Sequence, residues 1–544
     1  MRNEERGTRN EERGMMVDFC SRNKNLPFLF SFLSSLFSPE TGSSFLINIR
    51  CIMINRESGV LLNISSLPGR YGIGKFGAEA VAFAHFLKSM GFSRWQVLPF
   101  NPVGPGDCPY ASPSAFGGNM LYISPDMLCE DGYVTPEDIK ECIYYGSPHV
   151  ADYEFAARTT KNLLEKAYAG LTEEGKKSFY PILDEQVQGY CKFLALKEKH
   201  DDKPFPEWGE DAYFEKATPD TDRVNFYAFC QSMFFDQWAR TKKEINQAGI
   251  KIIGDIPIYV YSDSADVWAN NKVFKINKDF SLSNVAGAPP DYFSEDGQLW
   301  GNPLYDWDHL ASTGYDWWCK RIKASMKLYD TVRIDHFRGL ASYWSVDGKE
   351  ETARNGKWEK GPGIALFESI EKAVPEADII AEDLGEFGED VIQLLEDTGY
   401  AGMRIIQFGF TPNDNSSHTP HNYPENSVAY TGTHDNDTLL GWLYSASPEE
   451  REFALKYCRF EGGNWGEGGV NAPAVKSIIE TLWRSNSFLA ILPVQDMLGF
   501  GEDARMNRPG VPEGQWRFRA TQEFLDAVDR ERYAEMNRIC FRYK

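Results

Sequence analysis

From Gly59 onward, short runs of β-branched and aliphatic residues recur along the chain, each closed by a polar or Gly/Pro cluster. They occupy 60–64, 95–99, 250–255, 331–335, 378–382, 403–408, 428–431 and 488–492. Nearly continuous apolar runs of this length suit parallel strands buried on both faces. Between several of them apolar residues step at three and four, the spacing of a helix face. Ala80, Phe83, Ala84, Leu87 and Met90 do so, as do Ile364, Phe367, Ile370 and Val374, and then Val391, Leu394 and Leu395. Strand and helix alternating eight times predict an α/β fold, a (β/α)8 TIM barrel. Two intervals, about 101–249 and about 262–330, are too long for a single crossover helix. They are expected to be subdomains inserted on the face where the βα loops emerge, the first rich in helix and the second in loop. The stretch of chain beyond the last run is too short for a large separate C-terminal β-domain.

Residues 1–52 do not share this patterning. Residues 2–14 are a charged direct repeat, RNEERG-T-RNEERG, with nothing to bury. The apolar run from Leu26 to Phe37 is shorter than the roughly 20 residues a bilayer span needs. It has the length of a secretory h-region, preceded by Arg22 and Lys24, but the acidic residues upstream and the lack of a small-x-small cleavage site speak against export. The segment is expected to be a disordered extension, with 53–544 as the catalytic unit. The 10 cysteines form no CxxC pair and no zinc-finger spacing, the usage of reduced thiols in a cytoplasmic protein. With 57 Lys+Arg against 79 Asp+Glu the net charge is −22, which disfavours nucleic acid or an anionic membrane as partner. The aromatic content is generous, at 14 Trp, 26 Tyr and 36 Phe; most of these rings belong to the core, but flat faces also stack on the C–H faces of sugars.

In a barrel of this kind, polar residues at strand C-termini are the default catalytic candidates. Here they are Asp255, Arg333, Asp335 and Glu382, with His434 and Asp435 just after the seventh strand. Arg333 and Asp335 are two apart and so point to the same side. A guanidinium beside Asp335 is expected to keep it ionised, as a nucleophile requires. Glu382, one strand over among other carboxylates, is expected to be raised toward the range of a general acid. Carboxyl groups about 5–5.5 Å apart form the retaining glycosidase pair. Two other readings stand beside this one. Asp and Arg at strand ends also make purely structural ion pairs. His336, Asp335, His434, Asp435 and Asp255 also invite a metal-ligand reading, although neither H-x-H on the first strand nor HExxH is present.

The same residues resemble a known family. Arg333-Ile334-Asp335-His336-Phe337-Arg338-Gly339 is similar to the nucleophile segment of the 4-α-glucanotransferases (amylomaltases or disproportionating enzymes, glycoside hydrolase family 77). Ala381-Glu382-Asp383-Leu384-Gly385 resembles the acid/base segment, and Tyr430-Thr431-Gly432-Thr433-His434-Asp435-Asn436-Asp437 the third catalytic segment. Gly254-Asp255-Ile256-Pro257, Pro109-Tyr110, Trp300-Gly301-Asn302-Pro303 and Arg505-Met506-Asn507 extend the likeness over about 58–520. The resemblance implies that Asp335 attacks the anomeric carbon, Glu382 is the acid/base, and Asp435 holds the 2- and 3-hydroxyls of the distorted sugar. It places Tyr110, Asp255, Trp300, Asn302, Arg333, His434 and Asn507 in the substrate-binding set. It implies α-1,4-glucans and maltooligosaccharides as partners, with no cofactor, no metal, no nucleic acid, no membrane and no required protein partner. One departure is Cys108, where a Ser is expected before the Pro-Tyr pair.

Transfer rather than hydrolysis needs a reason beyond the carboxylates. The apolar, proline-stiffened segment 285–293 is expected to overhang the cleft, limit water and present an acceptor subsite through Tyr292. An α-glucan hydrolase of the same superfamily and a non-catalytic glucan-binding protein are the competing classes. The second is disfavoured because all three carboxylates are present. No GxxxxGK[ST] or GxGxxG loop supports a nucleotide-dependent transferase, and no calcium-loop pattern is visible.

Overall fold

The computed structural model describes residues 55–290, 295–385, 388–511 and 513–544. The expected extension 1–52, and Tyr292 within the apolar segment, lie outside the described residues. The strands are β1 (Glu57–Leu61), β2 (Arg94–Gln96), β3 (Lys251–Ile256), β4 (Asn284–Ala288), β5 (Gln298–Pro303) and β6 (Thr331–Ile334). They continue with β7 (Ser342–Asp347), β8 (Lys357–Lys360), β9 (Ile379–Ala381), β10 (Ala401–Ile405), β11 (Ser427–Tyr430) and β12 (Leu489–Pro493). Eight of them close into a barrel in the order β1-β12-β11-β10-β9-β6-β3-β2, every pair parallel. Each sequence run overlaps one barrel strand, and the three apolar stripes lie on helices Ala78–Ser89, Ile364–Ala373 and Glu389–Thr398. After β12 the described residues add helices Val494–Met497, Gln522–Asp526 and Arg530–Ile539 and no further strand.

Inward-facing residues fill the barrel. Leu61, Ile253, Ile380, Met403, Ile405, Val428, Tyr430, Leu489 and Ile491 form one buried cluster, a packed plug that leaves chemistry only at the strand ends. Register then decides what meets what. Asp255 on β3 pairs with Arg333 on β6, and Ile334 pairs with Ala381 on β9. The next residues on each strand, Asp335 and Glu382, therefore emerge side by side. Just before Asp255, a Cβ on Gly254 would meet the Tyr329 ring at 2.1 Å, and the Tyr329 hydroxyl accepts from the Phe100 N–H at 2.9 Å. Gly254→Ala must displace that buried ring and is expected to cost about 1–3 kcal/mol, read as a lower urea midpoint. An unchanged midpoint would show that the ring swings aside freely.

Between β2 and β3 the chain builds a helical excursion that includes Tyr153–Ala169, Glu185–Lys199 and Thr221–Gln247. Two buried amides on the last of these pin the loop after β2. Gln231 exchanges hydrogen bonds with the Gly118 backbone (2.7 and 2.9 Å), and Gln237 does so with Ser124 (2.7 and 3.2 Å). This loop carries Tyr110 to the barrel mouth. A second sheet, β5-β4-β7-β8, is antiparallel and draws two strands from before β6 and two from after it. Val285, Val346 and Ala353, with Leu282 and Trp344 against them, form its small core. The first part of the segment 285–293 is the interior strand β4, with Val285, Ala286 and Gly287 buried, so its apolar character there belongs to the core of this sheet.

Candidate active site

The charged cluster is organised by Arg333. Its Nη1 donates to Asp255 Oδ1 (2.8 Å) and Oδ2 (2.6 Å) and lies 3.0 Å from Asp335 Oδ1. Arg333 and Asp255 are buried, whereas the Asp335 side chain keeps 26% of its surface open. The guanidinium therefore fills the space between two of the residues that the metal-ligand reading needs. Among the described residues no three His, Cys, Asp or Glu side chains are placed to hold an ion. The Tyr110 hydroxyl donates to Asp255 Oδ2 at 2.8 Å, so Asp255 is a support for both Arg333 and Tyr110.

Glu382, at the end of β9, accepts two backbone N–H groups: His336 on Oε2 at 2.6 Å and Leu384 on Oε1 at 3.0 Å. The first is available because His336 adopts a left-handed conformation (φ 51°), an unusual one for a residue with a Cβ and typical of functional turns. Burial pushes the Glu382 carboxyl up to about 7, with Arg333 opposing the rise and Asp335 reinforcing it. Burial also raises Asp335, to about 6, despite Arg333. The expectation that Arg333 lowers Asp335 is corrected here, because the desolvation of Asp335 outweighs the guanidinium, with the nearby Asp255 and Asp435 carboxylates adding to the rise. Both carboxyls are thus raised by burial, and each raises the other, so the two titrate as a pair.

Asp435 behaves differently. Burial would raise it, but His434, Asn507 and Arg333 together hold it at about 2. Asn507 Nδ2 donates to its Oδ1 at 2.6 Å, and His434 Nε2 lies 3.3 Å from its Oδ2. On the other edge of the imidazole, Nδ1 is 3.5 Å from the Tyr110 oxygen. With the tyrosine proton given to Asp255, both ring nitrogens face acceptors, and Asp435 raises the His434 pKa against the effect of burial. Tyr110 and His434 stack with centroids 5.0 Å apart, and the Trp516 ring packs on both, at 5.7 and 5.8 Å.

Trp300 belongs to strand β5 and is 36% exposed. Its ring meets His336 edge-on at 4.8 Å, which sets a half-open aromatic face beside the segment after Asp335. Asn302 Nδ2 donates to the Val260 carbonyl at 2.8 Å, tying β5 to the loop after β3. The ten residues singled out in the sequence thus fall at the mouth of the barrel or on the sheet beside it. Sequence reasoning missed Trp516, and it found Arg505 only as part of the Arg505-Met506-Asn507 motif, with no role assigned. Arg505 donates to the Asp435 carbonyl at 2.6 Å and to the Asn507 carbonyl at 2.7 Å, holding the two residues together. Its place two residues before Asn507, inside that motif, was the available signal.

This constellation can be set against known proteins. A sequence profile of the 4-alpha-glucanotransferase family matches residues 62–524. The chain belongs to that family. The 4-alpha-glucanotransferase of Clostridium butyricum is 42% identical over 474 residues, which cover 84% of this chain and 95% of that relative. The Thermus thermophilus 4-alpha-glucanotransferase is 41% identical over 482 residues, 85% of this chain and 94% of its own. Among solved structures, the amylomaltase of Streptococcus agalactiae, determined in complex with acarbose, superposes with a TM-score of 0.84 at 37% identity. That match covers 90% of this chain and all (100%) of the other. The chain is thus an enzyme of the transferase class built on a barrel shared with amylomaltases.

Proposed function

We propose that the protein transfers a segment of an α-1,4-glucan to the 4-hydroxyl of glucose or of another glucan by a retaining double displacement. In the first step Asp335 bonds to the anomeric carbon as the glycosidic C–O bond breaks, and the Glu382 proton goes to the departing O4. In the second step Glu382 takes the proton of the incoming 4-hydroxyl, whose oxygen replaces Asp335 at the anomeric carbon. One α-1,4 bond is broken and one is made, so no cofactor is required. Asp435, held ionised, accepts from the 2- and 3-hydroxyls and favours the cationic transition state. Arg333 and His434 orient the reacting sugar, Asp255 braces Arg333 and Tyr110, and Tyr110, Trp300, Asn302 and Asn507 meet flanking glucose units. The observation that carries this reading is the placement of Asp335 and Glu382 on adjacent strand ends, Asp335 against Arg333 and Glu382 on the N–H groups of His336 and Leu384.

Incubating the protein with maltotriose while following the product ladder and the reducing ends tests the reaction class. A spread of glucose and longer maltooligosaccharides at constant reducing ends is expected. Reducing ends rising with each bond cut would make it a hydrolase, and no products at all would contradict both readings. The pH dependence is set by the pair. Asp335 must be ionised, so activity falls below about 6. Glu382 must be protonated, so activity falls above about 7. A narrow bell between those limits is expected for kcat/KM, with both limbs belonging to the coupled pair; a plateau reaching pH 9 would refute the assignment of the acid. The catalytic unit is read as 53–544 with 1–52 as an extension outside it, and the protein as cytoplasmic. Among the described residues no helix is long and apolar enough to cross a membrane, and no nucleic acid or protein partner is invoked.

A further inference from the structure

Asp496 is a carboxylate that the mechanism leaves unused. It lies in the one-turn helix Val494–Met497 immediately after β12, is 2% exposed, and has no Lys or Arg partner among the described residues. Burying an unpaired carboxylate is costly, and an apolar residue of similar volume would serve packing better. Its role here is to accept two hydrogen bonds. Thr431 Oγ1 donates to its Oδ2 at 2.6 Å, and the Leu439 N–H donates to its Oδ1 at 2.7 Å. Thr431 and Leu439 are the two ends of the loop that carries His434 and Asp435.

The loop between those ends is tied at every turn. From the side of β10, the Gln407 amide donates to the carbonyls of Thr431 and Asp437, both at 2.9 Å. A Cβ on Gly432 would meet that amide at 2.8 Å, so the close approach requires glycine. Inside the loop, the Asn436 Oδ1 accepts both the N–H and the hydroxyl of Thr433 at 2.9 Å. The one-turn helix also reaches the other wall of the subsite, because Gln495 Nε2 donates to the Ala504 carbonyl at 3.3 Å, just ahead of Arg505 and Asn507. The helix after β12 therefore holds both the loop of Asp435 and the segment that hydrogen-bonds Asp435.

We infer that Asp496 is a positioning residue for Asp435, its two oxygens fixing the ends of the 431–439 loop and thereby the place where Asp435 meets the sugar. The inference rests on the role proposed above for Asp435. Displacing a transition-state partner by a fraction of an ångström lowers turnover more than ground-state binding. Asp496→Ala is expected to lower kcat on maltotriose by about 30-fold with KM changed by less than about 2-fold. Asp496→Asn keeps the volume and one acceptor, and is expected to restore most of that loss. Because Asp435 acts on the charge at the anomeric carbon and not on the leaving group, the same fractional loss is expected with maltotriosyl fluoride, which needs no acid.

The deciding experiment is a cycle with Asp435→Asn, using fluoride release as the readout. In that background Asp496→Ala should cost less than about 3-fold more, since its partner is already gone. An equal loss in both backgrounds would show that Asp496 only stabilises the fold and would overturn the inference. Should Asp496→Ala fail to fold, Thr431→Val, which removes the hydroxyl that Asp496 Oδ2 accepts, is carried through the same cycle, with the same two outcomes. If Asp435→Asn alone leaves activity intact, it is the role of Asp435 that fails, and the two failures are distinct.

Discussion

Asp335→Asn is expected to abolish glucan transfer, with kcat on maltotriose down by about 10⁴-fold or more. The substitution replaces the anionic carboxylate with a neutral amide, too weak a nucleophile to bond to the anomeric carbon, while leaving the side-chain volume nearly unchanged. The surroundings should hold, because Arg333 keeps its bidentate contact with Asp255 at 2.8 and 2.6 Å when the 3.0 Å contact to Asp335 becomes neutral. Binding of maltooligosaccharides, followed by calorimetry, is therefore expected to survive within about 10-fold. A variant with more than a hundredth of the parent turnover would place the nucleophile elsewhere.

Glu382→Gln separates the two proton transfers from the bond to Asp335. With maltotriose as donor, the loss of the acid is expected to lower turnover by about 10²–10⁴-fold. With maltotriosyl fluoride the first step no longer needs that proton, and fluoride should be released in a burst close to the parent rate. The second step then stalls for want of a base, and the glycosyl enzyme accumulates. With only one of the two carboxyls left to titrate, the upper limb of the pH profile should vanish in the variant. One structural cost is expected. Glu382 presents two oxygens to the N–H groups of His336 and Leu384, whereas Gln offers a single oxygen and leaves one donor unmatched. Equal loss with both donors would mean that Glu382 supports the site without moving a proton.

The barrel was legible because its signal is local. A parallel strand buried on both faces announces itself as one short apolar run, and the eight such runs overlap the eight barrel strands. Asp335, Glu382 and Asp435 were legible for the same reason: each stands at or just past a strand end, inside a distinctive motif. The antiparallel sheet was not. Its strands come from two intervals separated by β6, and its pairing is visible only when Val285 meets Val346 across it. The segment 285–288 is apolar because it is the interior strand of that sheet, and a run of this kind reads the same whether it lies over a cleft or inside a small core. Trp516 reaches Tyr110 and His434 from far along the chain, in a backbone conformation (φ 66°) that no sequence pattern announces. The raised pKa of Asp335 was hidden because it comes first from burial, which no strand-end motif reveals, and then from the neighbouring Asp255 and Asp435 charges. Local patterns place the strand ends; the division of charge among them is a property of the packed site.

The measurement that bears most directly on the account is the mass of the Glu382→Gln protein mixed with maltotriosyl fluoride and quenched in acid. An adduct equal to one maltotriosyl unit is expected, carried after digestion by the peptide that contains Asp335 and persisting when glucose is added, because the variant has no base for the second step. Rapid fluoride release with no adduct, or an adduct on any other residue, would contradict a covalent intermediate on Asp335.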